Sequence, residues 1–296
     1  MIFRDFGMDT ASMAGPLEAK LAAVRRAGFS QVMISATEIV GHPGGVEAGI
    51  RAVRASGLAV TGLEMLRDFE GLDGHLHAYK VDVAKSMLEL CQELRGRLLI
   101  VEASTSSHAN TDPEAIVRDL RALAILAIPK RVRIAYKGVS WSRTASDFSS
   151  AGEFVLRANC RNLGLAIDAF DILAEKIPLD DIDAIDPEQI FLVQLSDFRW
   201  QAVYSMATNA AHDTRFRVFP GEGAHSDDLS SFVNRLDTLG YDGVYSFDVY
   251  NDDYQQMPPD LVAGRARRAA EWLEETVLRR ALPVPNMQGL RRSTSD

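Results

Sequence analysis

The chain has 296 residues, 47% hydrophobic and 25% charged, with Lys+Arg 32 against Asp+Glu 41 and a formal net charge of −9. That composition can bury a large core; without a basic block, or an apolar run near the roughly 20 residues of a membrane helix, it argues against nucleic acid and membrane as partners. Cys91 and Cys160 lie in helix-like surroundings with no signal peptide ahead of them, so they read as reduced thiols and a cytoplasmic setting is expected.

Strand-like and helix-like segments alternate along the chain. IFRDFGM reads as a first strand, and PLEAKLAAVRRAG as an amphipathic helix ending at Gly28. QVMIS is a second strand, followed by the helix VEAGIRAVRASG. AVTGLEML is a third, with a helix from about His75 to Arg95. RLLIVEA is a fourth, and DPEAIVRDLRALAILA a helix with Asp112 placed as its cap. VRIAYK leads to a helix near Asp147–Asn159, and LGLAID leads through DAFDILAEK to a short helix. FLVQL precedes a long segment, about 203–226, and the helix SDDLSSFVNRLDTLG. GVYSFD precedes the last helix, LVAGRARRAAEWLEETVL, and a polar tail.

Eight such units in one chain predict an α/β fold, a (β/α)8 TIM barrel over residues 1–282 with a C-terminal tail over 283–296. A doubly wound sheet is the rival, but RDFGMDTAS lacks the glycine-rich phosphate turn expected after its first strand.

In the last four strands the bulky residues fall on one parity: Val132, Ile134 and Tyr136; Leu163, Leu165 and Ile167; Phe191, Val193 and Leu195; Tyr245, Phe247 and Val249. Strand side chains alternate faces. Lys137, Asp168, Gln194 and Asp248 therefore share the other parity with small neighbours, and in a barrel they converge on the axis at one rim. Any one of them alone is as well explained as a polar cap on the core. Four on the inward parity of consecutive strands are not.

Carboxylates plus an amide at strand ends hold a hard divalent cation that stabilises an enolate. An ammonium has no lone pair to give and repels a cation. Lys137 thus admits three readings: an electrostatic substitute for the metal, a Schiff-base nucleophile with a lowered pKa, or the mark of a site that binds without catalysis. Glu102 ends the fourth strand beside Lys137, and Glu64 is placed at the end of the third. Trp141 and Arg143 follow the fifth strand and suit a polyol or carboxylate ligand, although loop residues of this kind are often merely exposed. His212, Arg215 and Arg217 precede FPGEG, where the arginines are placed to grip an anion.

Around these residues the chain resembles the xylose-isomerase-like superfamily of sugar isomerases and epimerases and, within it, bacterial 3-dehydroshikimate dehydratases. The segments are LEAKLAAVRRAGF, RDFEG at 67–71, VRIAYKGVSWSR at 132–143, NLGLAIDAFDIL at 162–173, IFLVQLSD at 190–197, RVFPGEG at 217–223 and YDGVYSFDVYND at 241–252. The resemblance implies a barrel in which a Glu, an Asp, a Gln or His and a second Glu hold a divalent metal, at the positions of Lys137, Asp168, Gln194 and Asp248. Here two ligands are retained, one is shortened and one is reversed in charge. A histidine of the dehydratases is replaced by Asp171, and Arg217 is kept.

Three expectations follow. The first is a metal-free lyase or isomerase acting on a small polyhydroxylated carbonyl compound by enolisation or dehydration. In it Lys137, Asp168 and Asp248 are catalytic, and Gln194, Arg217, Glu102, Trp141, Arg143, His212 and Asp171 contact substrate. The second is a catalytically silent barrel that binds a metabolite or partner protein, with Tyr204, Met206, Phe216 and Phe219 as surface candidates. The third is a metal enzyme in which Lys137 swings aside and Mn, Mg, Co or Zn sits on Asp168, Gln194 and Asp248, with Glu102 recruited. The expected partner is a small molecule; homo-oligomerisation is left open.

Overall fold

The computed structural model describes Phe3, residues 5–199 and residues 216–279. The barrel strands are β1 Phe6–Asp9, β2 Gln31–Ser35, β3 Ala59–Arg67, β4 Leu98–Glu102, β5 Arg133–Lys137, β6 Leu163–Asp168 and β7 Ile190–Leu195. After two short strands, β8 Asp197–Phe198 and β9 Arg217–Val218, the last barrel strand is β10 Val244–Phe247. The parallel ring closes in the order β1-β10-β7-β6-β5-β4-β3-β2. Around it run α1 Leu17–Arg26, α2 Ala36–Val40, α3 Val46–Ser56, α4 Gly74–Glu93, α5 Pro113–Ala127, α6 Phe148–Ala158, α7 Ala169–Glu175, α8 Ser226–Leu239 and α9 Pro259–Trp272.

Alternation builds two cores. Outward residues such as Ile134, Tyr136, Leu165, Val193 and Phe247 join the large cluster between strands and helices. Inward residues Met33, Leu98, Ile100, Ala135, Ala166 and Leu192 form a smaller plug inside the ring. Phe191 belongs to this plug, not to the outward face that its parity predicts. The register between β6 and β7 shifts at Leu165/Ala166, which breaks the alternation there. Gly164 makes the room: a Cβ on it would lie 2.8 Å from the Phe191 ring.

Local signals fix the helix starts. Asp112 caps α5 through the Glu114 N–H at 3.2 Å, and Asp147 with Ser150 forms a capping box on α6. The short α2 is absent from the sequence-based expectation. So is the antiparallel pair of β8 and β9, in which Asp197 faces Val218 and Phe198 faces Arg217. This pair flanks the long segment and brings Arg217 to the rim. Asp197 anchors it, accepting from the Phe198 N–H at 2.7 Å, the His225 N–H at 3.1 Å and the Ser226 hydroxyl at 2.8 Å. The PGEG turn needs glycine at 223, because a Cβ there would sit 2.1 Å from the Asp197 carboxylate.

Among the described residues no helix is long and apolar enough to cross a membrane. Cys91 is buried in α4 and Cys160 is half-buried after α6; both are free thiols. Tyr204, Met206 and the tail at 283–296 lie outside the described residues. Phe219 is fully buried, so it is core and no interaction surface, whereas Phe216 is exposed.

Candidate active site

The C-terminal ends of the strands open into a cavity of about 810 Å³. Glu64, Arg67, Glu102, Lys137, Trp141, Arg217 and Asp248 are among the residues that line it. Beneath them Lys137 occupies the space between the predicted neighbours. Its ammonium donates to Asp168 Oδ2 at 2.6 Å and to Gln194 Oε1 at 2.8 Å, and lies 4.0 Å from Asp248 Oδ2. Arg217 Nη1 donates to the same Asp168 oxygen at 2.9 Å and to Asp248 Oδ2 at 3.1 Å, with its guanidinium 4.3 Å above the Phe170 ring. Asp168 Oδ1 accepts the Phe170 N–H at 3.0 Å, so the residue that pairs with Lys137 also caps α7.

Two cations and two carboxylates, Lys137, Arg217, Asp168 and Asp248, thus neutralise one another in a buried cluster. Burial opposes the charge on Lys137, but Asp168, Asp248 and Asp171 outweigh it and hold the amine above the ordinary lysine range. Burial likewise opposes ionisation of Asp168, but Arg217 and Lys137 bring its carboxyl down to about 2. A Schiff base requires a neutral amine, so the nucleophile reading of Lys137 does not fit this environment. Asp168 is committed as an anchor with no free basicity; Asp248, 20% exposed at its side chain, is the carboxylate that faces the cavity.

Sequence reasoning missed residues on the other wall. Asp9, at the end of β1, is wholly buried. It accepts from Gln194 Nε2 at 3.2 Å and from the Ser246 hydroxyl. Alternation applied to FGMD turns Phe6 and Met8 outward and Asp9 inward, so the same rule would have found it. Burial, then Asp248, pushes the Asp9 carboxyl up to about 8. Glu64 does not end its strand, since β3 continues to Arg67; burial and the neighbouring Asp9 raise its carboxyl well above the usual range.

Other candidates are placed differently. Glu102 stands beside Lys137 in register, but among the described residues its carboxylate accepts from Arg67 Nε at 3.3 Å, not from the lysine. Arg67, 61% exposed at its side chain, is a cation of the lining that sequence reasoning passed over, although it opens the RDFEG segment. Trp141 lines the cavity. Arg143 does not: its side chain is exposed, and its backbone N–H donates to Ser104 O at 2.9 Å. Asp171 lies behind the lining, 5% exposed, and neither carboxyl oxygen has a hydrogen-bond partner among the described residues. Burial and Asp168 push it up to about 7. His212 and Arg215 lie outside the described residues.

The donor set argues against a divalent cation. Lys137 sits among Asp168, Gln194 and Asp248, three of the four residues that the metal reading uses as ligands, and Arg217 occupies both of these carboxylates. Among the described residues no group of three or more His, Cys, Asp or Glu is arranged to hold a metal. The arrangement with Lys137 swung aside and Glu102 recruited is not the one observed.

The closed ring, with a polar rim around a cavity at the strand ends, defines a TIM-barrel protein. A sequence profile of the xylose isomerase-like TIM barrel family matches residues 21–276, and the chain belongs to that family. It is 31% identical over 266 residues to a 3-dehydroshikimate dehydratase of Pseudomonas aeruginosa, covering 90% of this chain and 41% of that protein. A xylose isomerase-like TIM barrel/4-hydroxyphenylpyruvate dioxygenase fusion protein superposes with a TM-score of 0.86 at 29% identity, over 94% of this chain and 43% of the other. The IolI protein, solved with a bound zinc atom, superposes with a TM-score of 0.79 at 20% identity, over 92% and 99% of the two chains. The chain spans about two-fifths of the length of the dehydratase it matches.

Proposed function

We propose that this barrel enolises and dehydrates a small polyhydroxylated ketone, with 3-dehydroshikimate the first compound to test, and that Lys137 provides the positive charge for the step in place of a metal. The observation that carries this reading is the placement of the Lys137 ammonium. It has three N–H groups. Two are taken by Asp168 and Gln194, and Asp248 at 4.0 Å is too far for a hydrogen bond. The third is left for the cavity that Lys137 lines. A substrate carbonyl oxygen there receives a preorganised, buried positive donor as negative charge develops on it. Asp248 is the base that takes the proton from the adjacent carbon. Arg67 and Trp141 offer a carboxylate grip and an apolar wall to the ring.

The test is turnover of 3-dehydroshikimate by protein treated with EDTA and shown metal-free by elemental analysis. Undiminished activity, lost in Lys137→Met, supports the reading. Activity that disappears with chelation and returns with Mn, Mg, Co or Zn overturns it in favour of a metal enzyme.

A further inference from the structure

Two acidic residues in the turn after β3 tie three rim loops together, and the enolisation step uses neither. Asp68 adopts a left-handed φ of 52° directly after Arg67, a conformation that Asp tolerates better than most residues. Its Oδ1 accepts the N–H groups of Thr105 at 2.8 Å and Ser106 at 3.0 Å, and the Thr105 hydroxyl at 3.1 Å. Glu70 is fully buried. Its Oε1 accepts the Ser104 N–H at 2.6 Å, the Tyr136 hydroxyl at 2.9 Å and the Thr144 hydroxyl at 2.7 Å. The Ser104 carbonyl continues the network, accepting the Ser142 hydroxyl and the Arg143 N–H, both at 2.9 Å. The loops after β3, β4 and β5 are thus joined through Asp68 and Glu70.

Each of these loops also supplies a side chain to the cavity, and each such residue is a chain neighbour of the network. Arg67 precedes Asp68, Thr105 follows Ser104, and Trp141 precedes Ser142. Neither Asp68 nor Glu70 is part of the lining, so both act through these neighbours. We propose that Asp68 and Glu70 are positioning residues that hold Arg67, Thr105 and Trp141 as one preformed wall for the ring and carboxylate of the substrate. The identity of that substrate rests on the reading above. Buried donors left without an acceptor are costly, so the loops after β4 and β5 stay docked while Glu70 is in place. A wall ordered before binding spares the ligand the entropy of ordering it. Oε2 of Glu70 makes no hydrogen bond among the described residues, so a Gln at this position keeps every bond that joins the loops.

Paired variants separate positioning from stability. Asp68→Gly keeps the left-handed turn but removes the acceptor. It is expected to raise KM for 3-dehydroshikimate about tenfold and to weaken shikimate, which has the same ring carboxylate and no ketone, by the same factor. The change is expected in KM, with kcat altered less than about twofold. Asp68→Asn keeps Oδ1 and is expected to restore both constants. Glu70→Ala strands three donors. In protein labelled with fluorotryptophan it is expected to move the fluorine resonance of Trp141, assigned by its loss in Trp141→Phe, and to leave that of Trp272 in place. Glu70→Gln is expected to return the resonance. Thr144→Val cuts only the tie to the loop after β5 and reads the same shift if Glu70→Ala does not fold. Unchanged KM and shikimate affinity in a folded Asp68→Gly, or a Trp141 resonance unmoved in Glu70→Ala or Thr144→Val, overturns the proposal and leaves these residues a part in stability alone. A wild type that binds shikimate but turns nothing over refutes the dehydration reading only, and the affinity and Trp141 shifts still decide the positioning. One that binds neither compound overturns both.

Discussion

The two sides of the barrel mouth handle buried acidity in opposite ways. At the end of β6 the Asp168 carboxyl is held low because Lys137 and Arg217 lie against it. On β1 and β3 no cation among the described residues hydrogen-bonds to Asp9 or Glu64, and the carboxyls are pushed toward protonation. Both are answers to one cost: an isolated ion in a dry interior loses several kcal/mol of hydration. The outcomes differ in use. A saturated ion cluster gives a fixed field that stabilises charge appearing nearby. A carboxyl held by burial gives a proton that can be handed over.

The largest effect is expected from breaking the ionic side. Lys137→Met leaves Gln194 Oε1 unpaired and half of the positive charge missing from a buried cluster. Removing one partner of a buried pair costs about 3–5 kcal/mol, to be read by denaturant unfolding. Turnover is expected to fall about 100- to 1,000-fold, the range for loss of one preorganised donor. Unchanged stability would show that the cluster is held by its surroundings and not by charge. Lys137→Glu sharpens the same point. It sets a fourth oxygen donor beside Asp168, Gln194 and Asp248, and it is expected to bind Mn or Zn by calorimetry where the wild type does not.

The difference between the sides also explains what was legible in the sequence. Lys137, Asp168, Gln194 and Asp248 follow from alternation, because β5 and β6 keep a clean period of two and end on a polar residue, and Asp248 directly follows β10. The fold follows from the repeating strand–helix order. Phe191 breaks the pattern through a register shift that no composition announces, and it could be placed only once Gly164 was seen beneath its ring. Asp9 was within reach of the same rule but stands on a four-residue strand with no motif around it. Glu64 is raised by Asp9, 55 positions away in sequence, and that neighbour exists only after ring closure. Arg143 was overvalued for the reverse reason: a basic residue after a strand end reads as rim, yet the backbone turns its side chain to solvent.

A smaller effect tests the protonated carboxyls through stability. Asp168 titrates at about 2 in the fold, below its unfolded value near 3.9. Its contribution is present above the unfolded value and is lost as pH falls through the folded one. Asp171 has the opposite sign. Its folded value is raised to about 7, so the native state binds more protons than the unfolded chain between about pH 4 and 7, and stability declines as pH rises through that window. Asp9, raised to about 8, adds to the decline up to that pH. Asp171→Asn keeps the shape and removes the titration. It is expected to flatten the fall between pH 5 and 8 in urea unfolding curves and to be the more stable protein at pH 8. A steeper fall in the variant would mean that Asp171 is ionised and serves Lys137 and Arg217 as a counter-charge.

The smallest effects separate the cavity wall from the loop beyond it. Arg67 is exposed and, among the described residues, its side chain pairs with Glu102 at 3.3 Å, so it is available to a substrate carboxylate. Arg67→Gln is expected to raise KM for 3-dehydroshikimate roughly tenfold, the lower end of the range for a charged hydrogen bond. Solvent screens the interaction, so the ratio shrinks further at high salt. Because the contact is equal in ground and transition states, kcat changes little. Arg143→Ala makes the contrast complete. Its structural contact is a backbone N–H that any residue supplies, so stability is expected to move by about 0.5 kcal/mol at most and KM not at all. A rise in KM for Arg143→Ala matching that for Arg67→Gln would mean that the loop after β5 folds over the substrate and that the cavity wall extends beyond Trp141.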